Sequence, residues 1–324
     1  MPRSSSISPR WPRSSARLRQ FSSFPRVRIV LSGASGLVGS ALAPFLAARG
    51  HEVVRLVRRP PAAGEARWDP AAREIDRAAL ERADAVVHLS GENILGRWTA
   101  AKRAAIRSSR VDTTRFLAET IAGLARRPAT LVAASAIGYY GDRGDEPVTE
   151  DTPHGTGFLA ELCRDWEAAS EPAREAGVRV VRARIGLVLT SSGGSLERLL
   201  PFFRWGLGGP IGRGRQWWSW IAVDDLLRLV AFAVERDGLG GPVNVTSPEP
   251  VRNAEFARVL GRVLHRPAVL PVPPVALRVL YGEAADEVLL TGQRVLPARA
   301  LQAGFGFTFA ALEPALRHLL RSGA

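Results

Sequence analysis

The chain has 324 residues, a hydrophobic fraction of 46% and a formal net charge of +13 at pH 7. This length allows one large domain, or one domain with a small lobe, and a sizeable buried core. No apolar run reaches the roughly 18 residues of a membrane-spanning helix, so we expect no such segment. The single cysteine, Cys163, excludes an internal disulfide, and no cluster of soft metal ligands is present, so we expect no metal site.

Much of the positive charge lies in residues 1–26, which contain six arginines, eight serines and no acidic residue. We predict that this segment is a disordered or non-native extension of a cytoplasmic, bacterial-type protein. An organelle presequence is the alternative, because such presequences share this composition. Elsewhere, basic and aromatic residues are not interleaved as on a nucleic-acid-binding face. We therefore expect no nucleic-acid partner, no membrane partner, and a monomer or homodimer.

The first predicted strand, at residues 27–32, runs into three glycines with the spacing G-x-x-G-x-x-G, and a helical apolar pattern follows. This order suits the pyrophosphate of a dinucleotide, because glycines let the backbone approach phosphates and a helix N-terminus presents unpaired N–H groups. A Gly-rich turn without a ligand is the alternative for this segment alone. The candidate cofactor contacts are Gly33, Ser35, Gly36, Leu37, Val38 and Gly39.

Further apolar segments predict strands at residues 51–57, 83–89, 130–135 and 178–186, with helical periodicity between them. This alternation predicts an α/β fold with a Rossmann-type doubly wound parallel sheet. From about residue 193, helical patterns and Pro/Gly-rich turns predict a smaller, mostly helical C-terminal lobe. We assign residues 27–192, with return segments around 217–247, to a nucleotide-binding domain, and residues 193–321 to a lobe on the substrate side.

Ligands of open α/β sheets lie at the carboxyl ends of the strands. The second predicted strand is followed by Arg58 and Arg59, whose guanidinium groups suit the 2′-phosphate of NADP, whereas an NAD site has an acidic residue near this point. NADP(H) is therefore favoured over NAD(H), although a solvated turn is the alternative in such an arginine-rich chain. At the end of the third predicted strand, we expect Leu89, Ser90 and Gly91 to contact the cofactor.

The fourth predicted strand ends at Ser135, and Tyr139 and Tyr140 follow it. A serine hydroxyl at a strand end can hydrogen-bond a substrate or cofactor oxygen, and a tyrosine can donate a proton. The alternative for Ser135 is a residue that satisfies backbone groups at the strand end. Of the two tyrosines, we expect one ring in the core and the other in the cleft. All three are candidate catalytic residues.

Further residues are candidates for contact with a small-molecule substrate: Glu92, Asn93, Cys163, Trp218 and Trp220. The tryptophans lie close in sequence to Arg213 and Arg215, and such rings and guanidinium groups can line a site for a planar or anionic ligand. The alternative for the tryptophans is packing of the lobe against the sheet. The alternative for Cys163 is a small buried hydrophobe.

Several of these segments together resemble a known superfamily. Residues 33–39 (GASGLVG), 89–93 (LSGEN) and 135–151 (SAIGYYGDRGDEPVTED) resemble the extended short-chain dehydrogenases/reductases, which are NAD(P)-dependent epimerases and reductases. Residues 109–111, 158–167 and 218–225 are similar to its atypical "epimerase family protein" branch, which ends in a small C-terminal module, here at about residues 250–321. The resemblance spans about residues 27–321 and implies hydride transfer between a nicotinamide and a carbon next to an oxygen.

One feature of the superfamily is missing from this chain. Its members typically use a Tyr-x-x-x-Lys pair, in which the tyrosine is the acid/base and the lysine lowers its pKa and holds the nicotinamide ribose. This chain has one lysine, Lys102, and none of its three tyrosines precedes that lysine by four residues. The resemblance places residues 158–163 at the position of the pair. A cationic helper must then be Lys102, which is a candidate catalytic residue, or an arginine, or a backbone dipole.

The sequence therefore predicts an NADP(H)-dependent oxidoreductase or epimerase-like enzyme that acts on a small carbonyl or hydroxyl substrate. Two alternatives remain open. The missing pair favours a non-catalytic NADP(H)-binding protein with a redox-sensing or scaffold role. An enzyme of another class on the same fold is the third possibility, because fold does not determine function.

Overall fold

The computed structural model describes residues 25–322, so the predicted extension over residues 1–26 lies almost wholly outside the described residues. The strands are β1 (Arg28–Ser32), β2 (Glu52–Val57), β3 (Glu65–Asp69), β4 (Glu74–Ile75), β5 (Ala85–His88), β6 (Thr130–Ala136), β7 (Pro147–Val148), β8 (Arg179–Ile185), β9 (Leu187–Leu189), β10 (Trp217–Trp218), β11 (Trp220–Ala222), β12 (Gly241–Val245), β13 (Val251–Arg252) and β14 (Arg294–Val295).

The helices follow the same chain order. The α-helices are α1 (Leu37–Ala48), α2 (Arg77–Glu81), α3 (Ala100–Arg107), α4 (Thr113–Ala122), α5 (Phe158–Ala168), α6 (Glu171–Glu175), α7 (Gly194–Arg204), α8 (Val223–Glu235), α9 (Asn253–Leu264), α10 (Pro274–Tyr281), α11 (Ala298–Gln302) and α12 (Leu312–Ser322). Two π-helical segments, Ser108–Asp112 and Ala285–Leu290, and a 3₁₀ turn, Ile137–Tyr140, complete the helical structure of the described chain.

Within residues 25–322, eight strands form one sheet in the order β12-β8-β6-β5-β1-β2-β3-β4. All pairs in it are parallel except β3 with β4. The strand order reverses at β1, between β2 and β5, and doubly wound sheets bind their ligands at this kind of switch point. The predicted α/β fold with a doubly wound parallel sheet is confirmed.

Both faces of the sheet are buried, and β1 shows how alternate side chains divide between them. Ile29 and Leu31 pack in a core with Leu42 of α1 and residues of α8. Val30 points to the opposite face and packs in a core that contains Leu117 of α4. This period of two follows from the pleat of a β-strand, and the coverage of both faces explains why Ile29, Val30 and Leu31 are consecutive apolar residues.

The segments after residue 193 form a third core beside the sheet. Side chains of α7, α9 and α12 pack there with β9 and β11, and Trp220 and Phe256 are among its largest members. β12 leaves this region and becomes the edge strand of the large sheet, paired with β8. The C-terminal part of the chain therefore contributes both a helical lobe and one strand of the main sheet.

The C-terminal segment also stabilises a helix of the main domain. The N-cap of α5 is Gly157, which has no side chain to accept a hydrogen bond. The carboxylate of Glu287 accepts hydrogen bonds from the amides of Phe158 and Leu159, at 3.0 and 2.9 Å. A carboxylate at a helix N-terminus satisfies free amides and interacts favourably with the helix dipole.

Candidate functional site

A cleft of about 530 Å³ opens at the carboxyl ends of β1, β2 and β5. It is lined by the Gly-rich turn, the end of β2, β3 and its connections, and the segment after β5. These residues are Gly33, Ala34, Ser35, Gly36, Arg55, Leu56, Val57, Arg58, Arg59, Glu65, Trp68, Pro70, Leu89, Ser90, Gly91, Glu92, Ser109 and Thr113. The structure thus brings together most of the predicted cofactor contacts at the switch point of the sheet.

Two glycines of the turn have conformations or contacts that exclude a side chain. Gly33 has a φ of 71°, and a Cβ on it would lie 2.7 Å from the carbonyl carbon of Leu89. A Cβ on Gly39 would lie 2.2 Å from the carbonyl oxygen of Gly33. No side chain caps the N-terminus of α1. The backbone of the turn is therefore closely packed, and α1 begins directly after Gly36 of the cleft lining with no side-chain cap on its first amides, as an anion site requires.

The two arginines that follow β2 differ in their surroundings. Both terminal nitrogens of Arg59 donate to the Glu65 carboxylate at 2.7 Å, and Arg55 also pairs with Glu65 at 2.9 Å. The Arg59 guanidinium, with Arg55, holds the pKa of Glu65 below its usual range. Within the described chain, the Arg58 side chain has no ion pair or hydrogen bond. Arg58 is therefore available to bind an anion, whereas Arg59 already has a counter-ion.

A buried polar chain joins the ends of β1 and β5 beneath the turn. The Ser90 hydroxyl donates to the Ser32 hydroxyl at 3.1 Å, and Ser32 lies 2.6 Å from Nδ1 of His88. Burial lowers the pKa of His88 to about 4, so its ring is neutral at neutral pH. The sequence analysis did not single out Ser32 or His88, because the two strands meet only in the fold.

Glu92 and Lys102 form an ion pair at the edge of the cleft. Glu92 lines the cleft, and Nζ of Lys102 lies 2.7 Å from its Oε1. Lys102 holds the pKa of the Glu92 carboxyl below its usual range. The Asn93 side chain accepts a hydrogen bond from the amide of Leu95 at 2.9 Å and so stabilises its own turn. The predicted catalytic Lys102 therefore has a carboxylate partner and does not itself line the cleft.

Ser135 belongs to a buried network that the sequence did not reveal. Its hydroxyl donates to Glu167 at 2.8 Å. Arg184 donates to both oxygens of Glu167, at 2.7 and 2.9 Å, and to the hydroxyl of Tyr140 at 2.9 Å. Tyr140 in turn donates to Asn244 at 2.7 Å. Because the proton of Ser135 is directed at Glu167, the structure does not support its predicted roles as a donor to a substrate or cofactor oxygen.

The two tyrosines after β6 lie in different environments. Tyr140 is fully buried, and burial raises its pKa to about 12. Tyr140 is therefore the tyrosine of the pair whose ring lies in the core, and its burial does not favour the predicted catalytic role. Tyr139 is half-buried, and its ring lies against the guanidinium of Arg184, with 3.5 Å between the Arg184 Cζ and the ring centroid. Its hydroxyl has no hydrogen-bond partner among the described residues and is not enclosed.

Three of the predicted substrate contacts lie in packed regions. Cys163 is buried, and burial raises the pKa of its thiol to about 12. Trp220 is fully buried and donates to the carbonyl of Glu249 at 3.0 Å. Trp218 is half-buried and packs on Phe256, with 4.7 Å between the ring centroids. These contacts agree with the packing alternative for the two tryptophans and with the small buried hydrophobe as the alternative for Cys163.

A second cleft, of about 390 Å³, lies between the loop after β6 and the C-terminal segment. Asp142, Arg213 and Arg215 line it, together with Arg252 and Arg278. Arg252 forms an ion pair with Asp145, and Arg278 with Asp286. The side chains of Arg213 and Arg215 are exposed and have no ion pair in residues 25–322. The excess positive charge makes this cleft suitable for an anionic group.

Neither a metal cluster nor a spanning helix is found in the part of the chain that the structure describes. No group of three or more histidines, cysteines, aspartates or glutamates there could hold a metal ion. None of its helices combines the length and the apolar composition needed to cross a bilayer.

The sequence matches two family models. Residues 29–246 match the NAD dependent epimerase/dehydratase family. The chain belongs to this family. Residues 272–319 match a domain of unknown function, DUF1731, within the predicted C-terminal module. The resemblance inferred from the sequence motifs is therefore confirmed.

Other members of the family match over most of their length. An epimerase family protein of Mycobacterium bovis is 48% identical over 281 residues, which are 86% of this chain and 93% of the relative. The human epimerase family protein SDR39U1 is 37% identical over 298 residues, which are 91% of this chain and 100% of the relative. An Arabidopsis thaliana homologue of 39% identity, covering 91% of this chain and 87% of the relative, is described as chloroplastic.

Solved structures of two similar proteins share the fold. The crystal structure of human SDR39U1 (isoform 2) with NADPH matches with a TM-score of 0.84 and 35% identity, over 91% of this chain and 99% of that one. A nucleoside-diphosphate sugar epimerase from Corynebacterium glutamicum matches with a TM-score of 0.76 and 38% identity, over 91% of this chain and 58% of that one.

Proposed function

We propose that this epimerase/dehydratase family protein is an NADP(H)-dependent oxidoreductase or epimerase-like enzyme. The observation that carries the proposal is the free guanidinium of Arg58 beside the glycine turn, in a cleft of about 530 Å³ at the switch point of the sheet. A 2′-phosphate is the group that distinguishes NADP from NAD, and a guanidinium binds it through charge-assisted hydrogen bonds. The human relative solved with NADPH supports the same choice.

The residues of the first cleft fit a dinucleotide phosphate. Gly33 and Gly39 allow the tight packing of the turn, because a Cβ on either would collide with backbone atoms, and the uncapped N-terminus of α1 would offer amides to the pyrophosphate. Arg58 would bind the 2′-phosphate, and Ser90 and Gly91 lie at the end of β5. A bound nicotinamide supplies or accepts a hydride, and the protein orients it against the substrate.

Tyr139 is the candidate proton donor of the proposed reaction. Its hydroxyl is free of partners in the described structure, and the Arg184 guanidinium lies 3.5 Å from its ring centroid. A guanidinium over the face of an aromatic ring is attracted by the quadrupole of that ring. Arg184 would therefore hold the orientation of the Tyr139 ring while Tyr139 gives a proton to a substrate oxygen. Arg184 is therefore a positioning residue, because it acts on the reaction only through Tyr139.

We propose that the substrate is a small carbonyl or hydroxyl compound with an anionic group. Arg213 and Arg215 display two guanidinium groups in the second cleft, and Asp142 on the same cleft follows the Tyr139–Tyr140 turn directly. A phosphate, a diphosphate or a carboxylate would satisfy these cations. The Corynebacterium glutamicum relative, described as a nucleoside-diphosphate sugar epimerase, has a substrate class of this charge.

Titration of the purified protein with NADPH and with NADH tests the cofactor choice. We expect NADPH to bind about tenfold more tightly than NADH, and Arg58→Gln to remove that preference by weakening NADPH binding alone. Arg59→Gln is the matched control, because its guanidinium is already paired with Glu65 and its loss should have a smaller effect. Equal affinity of the wild-type protein for the two cofactors would overturn the proposal.

Transfer of deuterium from labelled NADPH into a library of phosphorylated and carboxylated carbonyl compounds tests the reaction. We expect transfer to at least one compound, and we expect Tyr139→Phe to lose it while Tyr140→Phe, at a buried position, retains it. Tight NADPH binding without transfer to any compound would instead support the second candidate function, a non-catalytic NADP(H)-binding protein. The absence of the Tyr-x-x-x-Lys pair from the sequence is the observation that favours this alternative.

A further inference from the structure

Arg110 lies next to residues that line the first cleft, on the side of β5. It belongs to the π-helical segment Ser108–Asp112, which joins α3 to α4. Its neighbours Ser109 and Thr113 line the cleft. A Cβ on Gly91 would lie 3.3 Å from the Cζ of Arg110, so the guanidinium lies directly against the segment that follows β5. π-Helical turns inside α-helices are frequent at functional sites.

The guanidinium of Arg110 has little to neutralise it. Its one hydrogen bond within the described chain is long, from Nη1 to the carbonyl of Ile106 at 3.3 Å, and no carboxylate of that part of the chain lies within ion-pair distance. Its Cζ lies 5.1 Å from the ring centroid of Trp166. Burial lowers the pKa of Arg110, although Cys163 and Glu92 act in the opposite direction. A partly buried charge without a partner is costly, and such a charge persists where a ligand supplies the partner.

The unpaired nitrogens of Arg110 are not sealed in the protein. Side-chain nitrogens that are both enclosed and without a partner occur in the described chain at Arg28 and His88, but not at Arg110. Its free N–H groups therefore remain open to the cleft or to solvent. The other cations near this site have carboxylate partners: Lys102 is held by Glu92, and Arg184 by Glu167.

The helix that faces Arg110 has no cation of its own at the relevant position. On α5, the segment that the superfamily resemblance aligns with Tyr-x-x-x-Lys begins at Phe158 and has Leu162 four residues later. Arg110 lies near Cys163, the next residue, as their electrostatic interaction shows. The guanidinium thus lies between Gly91, which follows β5, and Trp166 of α5, and from there it would reach the nicotinamide end of a dinucleotide bound along the cleft.

We infer that Arg110 is a cofactor-binding residue whose guanidinium donates hydrogen bonds to the oxygens of the nicotinamide ribose. This inference rests on the proposed function, since it needs a dinucleotide in the first cleft. It assigns to an arginine on the π-helical segment the ribose contact that the missing lysine would make from α5. Arg58 and Arg110 would then hold opposite ends of one cofactor.

Binding of a fragment that lacks the nicotinamide ribose separates the two ends. The probes are NADPH, NADH and 2′-monophosphoadenosine 5′-diphosphate, which retains both phosphates of the pyrophosphate, measured by calorimetry on the full chain. We expect Arg110→Met to weaken NADPH and NADH binding about tenfold and to leave the affinity for the fragment unchanged, because a hydrogen bond from a charged group is lost only with the first two. Arg110→Lys should restore part of the affinity for both.

Two matched variants complete the test. Lys102→Met removes a neighbouring cation that is already paired, so it should leave all three affinities unchanged. Arg58→Gln should weaken NADPH and the fragment but not NADH. If Arg58→Gln behaves in this way while Arg110→Met leaves NADPH binding unchanged, or weakens the fragment equally, the inference about Arg110 is overturned and the cofactor site stands. If the wild-type protein binds neither NADPH nor the fragment, the proposed function itself fails.

Discussion

Two arginines lie against adjacent residues of α5 and have opposite surroundings. Arg184 is buried and donates two hydrogen bonds to the Glu167 carboxylate. Arg110 lies over the ring of Trp166, and its guanidinium donates one hydrogen bond, 3.3 Å long, to the backbone carbonyl of Ile106. Burial alone would lower the pKa of Arg184, but the hydrogen bonds to Glu167 raise it above its ordinary value, whereas the pKa of Arg110 is lowered.

This difference separates a cation that holds the fold together from one that is available to a ligand. Arg184 joins β8 to α5 and, through Tyr140 and Asn244, to the edge strand β12. All of its charge is compensated inside the protein. Arg110 has the same charge and no internal partner, so its removal should cost the fold little and should affect binding instead. Stability measurements can therefore test the assignment without knowledge of the substrate.

The largest expected effect is that of Glu167→Ala. This variant leaves Arg184 buried without its carboxylate, and such a loss typically lowers the free energy of unfolding by about 3–5 kcal/mol. Urea denaturation followed by circular dichroism measures it. Glu119→Ala is the control, because Glu119 pairs with Arg73 at the exposed surface and should cost less than about 1 kcal/mol. Equal losses in the two variants would contradict the structural role of the Arg184 ion pair.

His88 is a third kind of buried ionisable group, because its ring is neutral in the folded protein at neutral pH. Burial lowers its pKa to about 4, from the ordinary histidine value of 6.5. Above pH 6.5 both the folded and unfolded states hold a neutral ring, and the full stability is present. As the pH falls from 6.5 towards 4, His88 becomes protonated in the unfolded chain but stays neutral in the folded protein. The free energy of unfolding therefore decreases by about 3 kcal/mol in all.

The variant His88→Gln should have a flatter dependence of stability on pH over this range, because it removes the group that titrates only after unfolding. Urea denaturation at pH 7, 6, 5 and 4.5 gives the slope. The exposed residue His154 provides the matched change, His154→Gln, which should keep the slope of the wild-type protein. A His88→Gln slope as steep as that of the wild-type protein would show that other groups cause the acid sensitivity.

A smaller effect should separate the two tyrosines. Tyr140→Phe removes the hydroxyl that links Arg184 to Asn244 and leaves a buried acceptor without a donor, which typically costs about 1–3 kcal/mol. Tyr139→Phe removes a hydroxyl with no partner in the described chain and should leave the free energy of unfolding almost unchanged. Thermal or urea denaturation compares them directly, and a reversed order would be incompatible with the network.

The smallest change is expected for Arg110→Met. Methionine keeps much of the apolar volume of the side chain and removes the poorly compensated charge, so the free energy of unfolding should stay constant or rise slightly. Loss of more than about 1 kcal/mol in urea denaturation would reveal an internal partner for this cation and would place Arg110 in the same class as Arg184.

The sequence predicts the sheet and the glycine turn well because both depend on local patterns. Runs such as residues 29–31 and 131–134 are apolar throughout, as expected for strands of a sheet that is covered on both faces. Gly33 and Gly39 have the spacing that the turn needs. The short strand β3, by contrast, has the sequence Glu-Ala-Arg-Trp-Asp, which contains no apolar run that would predict a strand. Its Glu65, which neutralises Arg59, was therefore missed.

Two candidate catalytic residues, in and after β6, have hydrogen-bond partners that lie far away in the sequence. Ser135 meets Glu167 across 32 residues, and Tyr140 meets Asn244 across 104. No spacing rule connects such positions in a single sequence. For the same reason, sequence reasoning identified the lone Lys102 as the exceptional cation, while the structure shows that Lys102 is paired and Arg110 is not.

The cap that Glu287 provides for α5 has a consequence for the synthesis of this protein. The amide of Phe158 leaves the ribosome 129 residues before the carboxylate that accepts its hydrogen bond. Until residue 287 is synthesised, the free amides in the first turn of α5 have no side-chain acceptor, because the N-cap residue Gly157 cannot provide one. The strands of the large sheet, which end with β12 at Val245, are thus all synthesised before the cap of the helix that carries Glu167, and a chain that ends before residue 287 lacks this cap.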